Sequence, residues 1–559
     1  MDELLDIMID IMSIIFFGLL IFLNVRRLKK TTNLEQIPLW FIPSIIGIFL
    51  CIPSIITILS ILAIFRLFIY VILKTKHRSK FNGLLNGPDA VHMISKEPRH
   101  LMNCLIMFQC TKEMSPQVFY DNIKRIVRKM QYYGKLNSKF FTYCGYPYML
   151  GEELNVDDCI REMKTISNLK YKISRSELLS LINECCNLDL PNNNTIPWEI
   201  MIGIQKVDWR NDGYHYYPLL LRCDHVIGDG ITIIEIIAKM FSNKSSKVKY
   251  KLEESEHLVW MENFVKITLK GLHMLMILPA FLISNYIIRV KDNNILYSPT
   301  LSHQVFYWSN VDDSSKYVEK IKTIKNTIAG ISFQDVVAAA FSASLNDYFI
   351  KKSIKLEYIS TGVPVLPGSF KLQHIIPEQL RIEDADITNK YSTLVMNIPV
   401  HVGFESGSIG DFRKRLHLIK KQSDILLKDS LEYEMTTLFV NTMCTYLPQE
   451  IYEWILMKSR YSTAIFTVLP GPPRLHCWQN SAAISDLTGF GPLMYGIGTN
   501  VTINSYDGQL NIGISVDKSI IPDEEDVKEI ADNILKYTQQ PSEPLPNYTQ
   551  TDQEKWTTI

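Results

Sequence analysis

Three runs of apolar residues stand apart from the rest of the chain. The first, Ile11–Leu23, has Asp6 and Asp10 before it and Arg26, Arg27, Lys29 and Lys30 after it. A cleavable signal carries its positive charge ahead of the apolar run and small residues behind it, so this reversed order predicts an anchor. The core is short and leaves open an interfacial helix or a tilted span at about residues 11–25. The second run, Ile37–Leu73, contains Pro43 and Pro53, carries Arg66 late, and ends in Lys74, Lys76, His77, Arg78 and Lys80. Keeping both basic clusters in the cytosol favours a hairpin bent near Pro53. One long span is the alternative, and it would put the clusters on opposite sides. The third run, Gly271–Ile288, is flanked by Lys270 and Arg289 and holds Pro279. It reads equally as a helix of the body or a shallow membrane contact.

Between and after these runs the periodicity changes to that of a folded body. Leu101–Phe108, Glu199–Val207 and Tyr214–Cys223 read as strands, with Arg210-Asn211-Asp212-Gly213 as a hairpin turn between the last two. Pro116–Met130 and Ser332–Leu345 read as helices. Tyr358–Val365, Leu394–Val400 and Ile465–Leu469 are strand-like, and Val501–Asp517 is a hairpin around Asp507-Gly508. Asp523–Lys536 reads as a final helix. The pattern divides the chain into a membrane anchor (1–80), a first lobe (81–243), a linker with an apolar segment (244–300), a second lobe (301–538) and a loose tail (539–559). Strands alternating with helices in each half predict two α/β or α+β lobes.

Composition narrows the function. The length of 559 residues calls for two or three domains. Lys plus Arg and Asp plus Glu are both 58, so the basic excess of a nucleic-acid binder is missing. A local basic patch would still suffice for an acidic co-substrate such as coenzyme A. The 10 cysteines are scattered, with no CxxC and no zinc spacing, which predicts free thiols and no metal site.

The candidate chemistry lies at Leu219–Gly230. An apolar strand runs into Asp224-His225, Gly228-Asp229-Gly230 follows, and an apolar helix opens with Thr232 and Glu235 at capping-box spacing. A histidine at a strand-to-helix turn, with no Ser or Cys nucleophile beside it, suits direct general-base work on an alcohol or amine. Its unperturbed pKa of about 6.5 keeps it neutral at cytosolic pH. Asp229 is read as bracing the loop through an arginine, and Gly228 and Gly230 as supplying backbone conformations other residues avoid.

Asp224–Gly230 resembles the HHxxxDG motif of coenzyme A-dependent acyltransferases of the chloramphenicol acetyltransferase-like fold. Within that fold the chain resembles the wax-ester synthase/acyl-CoA:diacylglycerol acyltransferase (WS/DGAT) family. Leu101–Leu105 is similar to its first strand, and Ser332–Ala340, with Gln334 and Asp335, to its T-x-N-D-V-L-L-A-A helix start. Thr361–Val365 and Asn389–Ser392 resemble its V-P-V and G-N segments. Val468–Pro472, with Pro470 and Gly471, is similar to N-V-P-G-P, and Ser505–Gly508 with Asp517 to its last hairpin. The resemblance implies His225 as general base, Asp229 as structural, and an active-site tunnel between two lobes. It also makes Ser332, Gln334, Asp335, Asn389, Pro470 and Gly471 candidates for substrate binding or the lobe interface. Asp224 stands in place of the first motif histidine and Gln334 in place of the asparagine.

The function this implies is a membrane-bound O-acyltransferase moving a fatty acyl group from acyl-CoA to a long-chain alcohol or diacylglycerol, with no bound cofactor. The extra apolar leader fits a eukaryotic member in the endoplasmic reticulum with its body facing the cytosol. Two alternatives remain open: acylation of short or isoprenoid alcohols, and a degenerate protein that binds lipid or acyl-CoA.

Overall fold

The computed structural model describes residues 2–32, 38–94, 101–128, 134–151, 155–164, 172–191, 196–241, 251–252, 260–289, 292, 294–299, 301–309, 314–366, 370–371, 387–404, 408–429, 431–458, 462–478, 481–494 and 496–539. The tail beyond 539 and most of the linker at 242–259 lie outside the described residues.

Strict alternation builds the first sheet. Along His215–Asp224, Tyr217, Leu219, Leu221 and Cys223 enter one buried core while Tyr216 and Leu220 enter another on the opposite face. Leu101–Cys110 divides the same way, with Cys104, Ile106 and Phe108 on one side and Leu105 and Met107 on the other. Such strands must be covered on both faces. Helices Pro116–Val127 and Gly230–Phe241 cover one, and Arg175–Cys186 the other. Charge is paired where it enters this layer: Arg222 and Glu199, both fully buried, meet side chain to side chain across neighbouring strands.

The second sheet orders its six strands as Gln304–Ser309, Gln509–Asp517, Thr499–Tyr506, Ala464–Pro470, Tyr358–Val365 and Ser392–Pro399. The expected hairpin is present, with Asp507 and Gly508 at φ of 50° and 73° as its two-residue turn. The other expected hairpin is not a tight one. Trp198–Ile202 and His215–Asp224 do pair antiparallel, but a longer excursion through Lys206–Val207 joins them.

The two lobes are tied together by a strand that crosses from one to the other. Strand Ala482–Phe490, from the second half, pairs with Leu101–Cys110 along the edge of the first sheet. The boundary at residue 301 therefore divides the sequence but not the fold. Where the two sheets cross, a Cβ at Gly513 would lie 2.1 Å from the Gly489 carbonyl oxygen, so only glycine permits the approach.

The second apolar run forms one helix, Phe41–His77, and does not turn back at Pro53. Pro43 sits in the first helical turn, where N–H groups have no intrahelical partner. Pro53 removes one ladder bond, but the apolar sequence around it supplies no polar turn residues to reverse the chain. The first run is likewise one helix, Asp2–Thr32. The third is Trp260–Leu282, continuing as a π-helix through Ile288.

Replacing Glu199 with Ala would strand the Arg222 cation in the core. Chemical denaturation should show a loss of about 3–5 kcal/mol, whereas an exposed control such as Glu113→Ala should shift little.

Candidate active site

Asp224 ends its strand by making a turn. Its Oδ1 accepts the Val226 N–H at 3.0 Å and its carbonyl accepts the Ile227 N–H at 3.0 Å. Asp is favoured at this turn position for that reason. The turn presents His225, itself buried, beyond the end of the sheet.

Asp229 then caps the following helix. Its Oδ1 accepts the Thr232 N–H at 2.9 Å, so the helix opens at Gly230 and the expected Thr232–Glu235 box does not form. The Thr232 hydroxyl instead donates to the Thr388 carbonyl at 2.9 Å. The partner expected to be an arginine is the Lys390 backbone N–H, which donates to Asp229 Oδ2 at 2.7 Å. Burial raises the Asp229 carboxyl pKa, and the N–H groups of Thr232 and Lys390 oppose that rise. Gly228 and Gly230 also differ from expectation, because neither has a positive φ. A Cβ at Gly228 would lie 2.9 Å from Thr232 Cβ, and one at Gly230 would lie 2.7 Å from Leu469 Cδ1. Space, not conformation, selects glycine there.

Sequence reasoning missed the residues that surround His225. The short helix Gly87–Ala90, capped by Asn86, places His92 on the His225 imidazole, with ring centroids 4.0 Å apart and planes inclined at 17°. Tyr391 lies 5.6 Å from the His225 ring, and its hydroxyl is 3.3 Å from His92 Nε2. Burial pushes the Tyr391 phenol well above its usual pKa, so it stays protonated. Asp89, also buried, accepts the Asn389 backbone N–H at 3.0 Å and its Nδ2 at 2.8 Å, and pairs with Lys135 Nζ at 2.7 Å. Asn389 Nδ2 donates in addition to the His225 carbonyl at 3.0 Å. Pro88-Asp89-Ala90 reads only as a turn, and nothing local in the sequence couples it to residues 300 positions away.

Two cavities adjoin at these rings. The first, about 1050 Å³, is lined by His225, Asp229, Gly230 and Asn103 among mainly apolar side chains. The second, about 1390 Å³, is lined by His92, Phe281, Asn285, Tyr286, Arg289 and Glu432. Tyr391, Thr393, Ile465 and Met494 belong to both walls.

The remaining candidates sit elsewhere. Ser332 and Asp335 form a capping box on helix Phe333–Lys351, and Asp335 accepts the Ser423 hydroxyl at 2.6 Å. Neither they nor Gln334 line either of these two cavities. Pro470 ends its strand, and at Gly471 a Cβ would lie 1.8 Å from the Ser505 carbonyl oxygen, so this pair is a packing feature. Asn389 alone of this group joins the site.

Residues 387–537, the segment that begins with the Thr388–Tyr391 stretch against His225, match the family described as the WS/DGAT C-terminal domain. That segment thus carries a WS/DGAT C-terminal domain. The match supports an acyl-CoA-dependent O-acyltransferase, and the fold is chloramphenicol acetyltransferase-like. A search of curated protein sequences returns no match. Among solved structures the chain is similar to the wax ester synthase/diacylglycerol acyltransferase of Marinobacter aquaeolei VT8, at 16% identity and a TM-score of 0.51, covering 82% of this chain and 98% of that one. It is also similar to the trichothecene 15-O-acetyltransferase of Fusarium sporotrichioides, at 12% identity and a TM-score of 0.55, covering 81% and 94%. The first condensation domain of the CDA synthetase shares the fold at 12% identity and a TM-score of 0.51, covering 83% and 98%.

Substitutions at two positions test the turn and the ring stack. Asp224→Asn keeps an acceptor for the Val226 N–H and should stay within about threefold of wild-type activity, while Asp224→Ala should lose more through misplacement of His225. The second is His92→Phe, which retains a stacked ring and should leave more activity than His92→Ala. Equal rates for the two His92 variants would remove the stack from the account.

Proposed function

We propose that the enzyme is membrane-bound and moves a fatty acyl group from acyl-CoA to a long-chain alcohol or a diacylglycerol, with His225 as general base. The observation that carries this reading is the place of His225, buried where two mainly apolar cavities adjoin. Neutral imidazole takes the proton of the acceptor hydroxyl as its oxygen attacks the thioester carbonyl. The C–S bond of the resulting tetrahedral species breaks, and the imidazolium returns its proton to the departing thiolate, giving an ester and free coenzyme A. The base contributes roughly 10²–10⁴ in rate, and holding both substrates at one point supplies much of the rest.

The acceptor's approach is the second cavity. Its wall includes Phe281, Asn285, Tyr286 and Arg289 at the end of the third apolar helix, and a lipid alcohol partitions into the environment such a helix prefers. Asp229 holds the loop and Asp89–Asn389 holds the His225 backbone, so neither carboxylate needs to exchange protons during turnover. Asp224 does not argue for a degenerate binding protein. Its carboxylate serves the turn, and His225 remains in the cavity wall.

Membranes carrying wild type or His225→Ala, given labelled palmitoyl-CoA with hexadecanol, a diacylglycerol or a short alcohol, test the assignment. The variant should lose about 10²–10⁴ in rate, with product in the wild type favouring the lipid acceptors. Equal product from both proteins would overturn the base, and preference for the short alcohol would overturn the acceptor class.

A further inference from the structure

The three apolar helices are each long and apolar enough to cross a membrane, but the fold limits which of them can. Strands Leu101–Cys110 and His215–Asp224 precede the third helix in sequence, and Ala482–Phe490 follows it, yet all three pair in one sheet. A single helix whose two flanks belong to one sheet returns the chain to the side it left.

The second helix is held at both ends by that same body. Just before it, Arg27 of the first helix reaches Glu432 at 2.6 Å in a buried ion pair. Asn24 enters the third helix beside Pro279, donating to the Met276 carbonyl and accepting the Ala280 N–H, each at 2.7 Å. Phe41 and Ile45 then pack in one cluster with Met276, Ala280 and Ile283. At the far end Ile69 and Leu73 are buried against Tyr146 and Tyr148, and Arg66 Nη2 donates to the Leu85 carbonyl at 2.8 Å. From Ile45 to Leu73 the helix runs roughly 42 Å at 1.5 Å per residue. Both of its ends are thus fixed to the same body, while residues 53–58 between them are all exposed. Between the anchored ends Ile55, Ile58, Ile61, Ile64 and Phe68 are exposed.

We propose that the second and third apolar helices form a raft embedded in one leaflet of a bilayer, and that neither crosses it. This rests on the membrane-bound reading above and gives it a geometry. A lone interfacial helix needs a polar face, which the second helix lacks. Here the body holds the helix at both ends, so acyl chains would cover the exposed middle. Basic residues stand at both ends of the raft, Lys29 and Lys30 at one and Lys74, Lys76, Arg78 and Lys80 at the other, suited to anionic headgroups of a single surface. The arrangement also keeps both basic clusters on one side, as the positive-inside rule requires. The second cavity then opens beside the leaflet that would hold its acceptor.

Cysteine sidedness tests this in sealed microsomes. Cys51 and Cys144 are the exposed cysteines and the other eight are buried. With Cys51→Ala throughout, Cys144 alone marks the body. Lys29→Cys and Ser79→Cys, each with Cys144→Asn to suit the left-handed turn, mark the two ends of the second helix. A membrane-impermeant maleimide should label all three in intact vesicles within twofold of the permeabilised signal. A Lys29→Cys signal that appears only after permeabilisation, while Cys144 labels without it, would overturn the raft and leave membrane binding intact. Release of the protein into the supernatant by carbonate would overturn the membrane-bound reading, and the raft with it.

Discussion

Two buried carboxylates hold the site together from opposite sides. Asp89 binds Asn389, and Asp229 binds the N–H of Lys390, so four residues of the second half, Thr388 to Tyr391, are fastened against the loop that carries His225. Thr232 adds a third bond to the Thr388 carbonyl. Each carboxylate has been taken out of water and needs its donors, because an unpaired buried acceptor costs about 1–3 kcal/mol. The site is therefore built by groups that are stable only when both halves of the chain are in place.

That dependence explains what could be seen in the sequence. Strands with a period of two, the Asp507-Gly508 turn and the caps at Ser332 and Asp523 are local, and each is visible in a few consecutive residues. His225 and Asp229 were legible because strand, turn and helix are contiguous around them. His92, Tyr391 and Asp89 were not, since a ring stack or a carboxylate–amide pair leaves no mark on the residues next to it. The same limit misassigned Asp229, whose partner is a backbone N–H that any residue at position 390 would offer. It also turned Gly228 and Gly230 into conformational devices when their neighbours Thr232 and Leu469 simply leave no room for a side chain. Gln334 and Asp335 were candidates for substrate binding or the lobe interface by resemblance, but Asp335 has the spacing from Ser332 of a helix cap.

The apolar helices show the converse. Their hydrophobicity was plain, but hydropathy measures what a segment prefers and says nothing about where its ends must go. The polar residues within them carry that information. Asn24 occupies the helix ladder at Pro279 and joins the first apolar helix to the third, while Arg27 on Glu432 and Arg66 on Leu85 tie the first and second helices to the folded body.

The strand that crosses between the halves has a consequence for turnover. Ala482–Phe490 is joined to the first sheet through eight paired positions, and the hairpin beyond it belongs to the second sheet. Separating the lobes to admit a substrate would break that ladder, which is far costlier than moving side chains at a cavity mouth. Substrates must instead thread in from the two cavities and meet where Tyr391 lines both walls. For an acceptor with little water solubility, a mouth walled by the third apolar helix removes the need to pass through solvent.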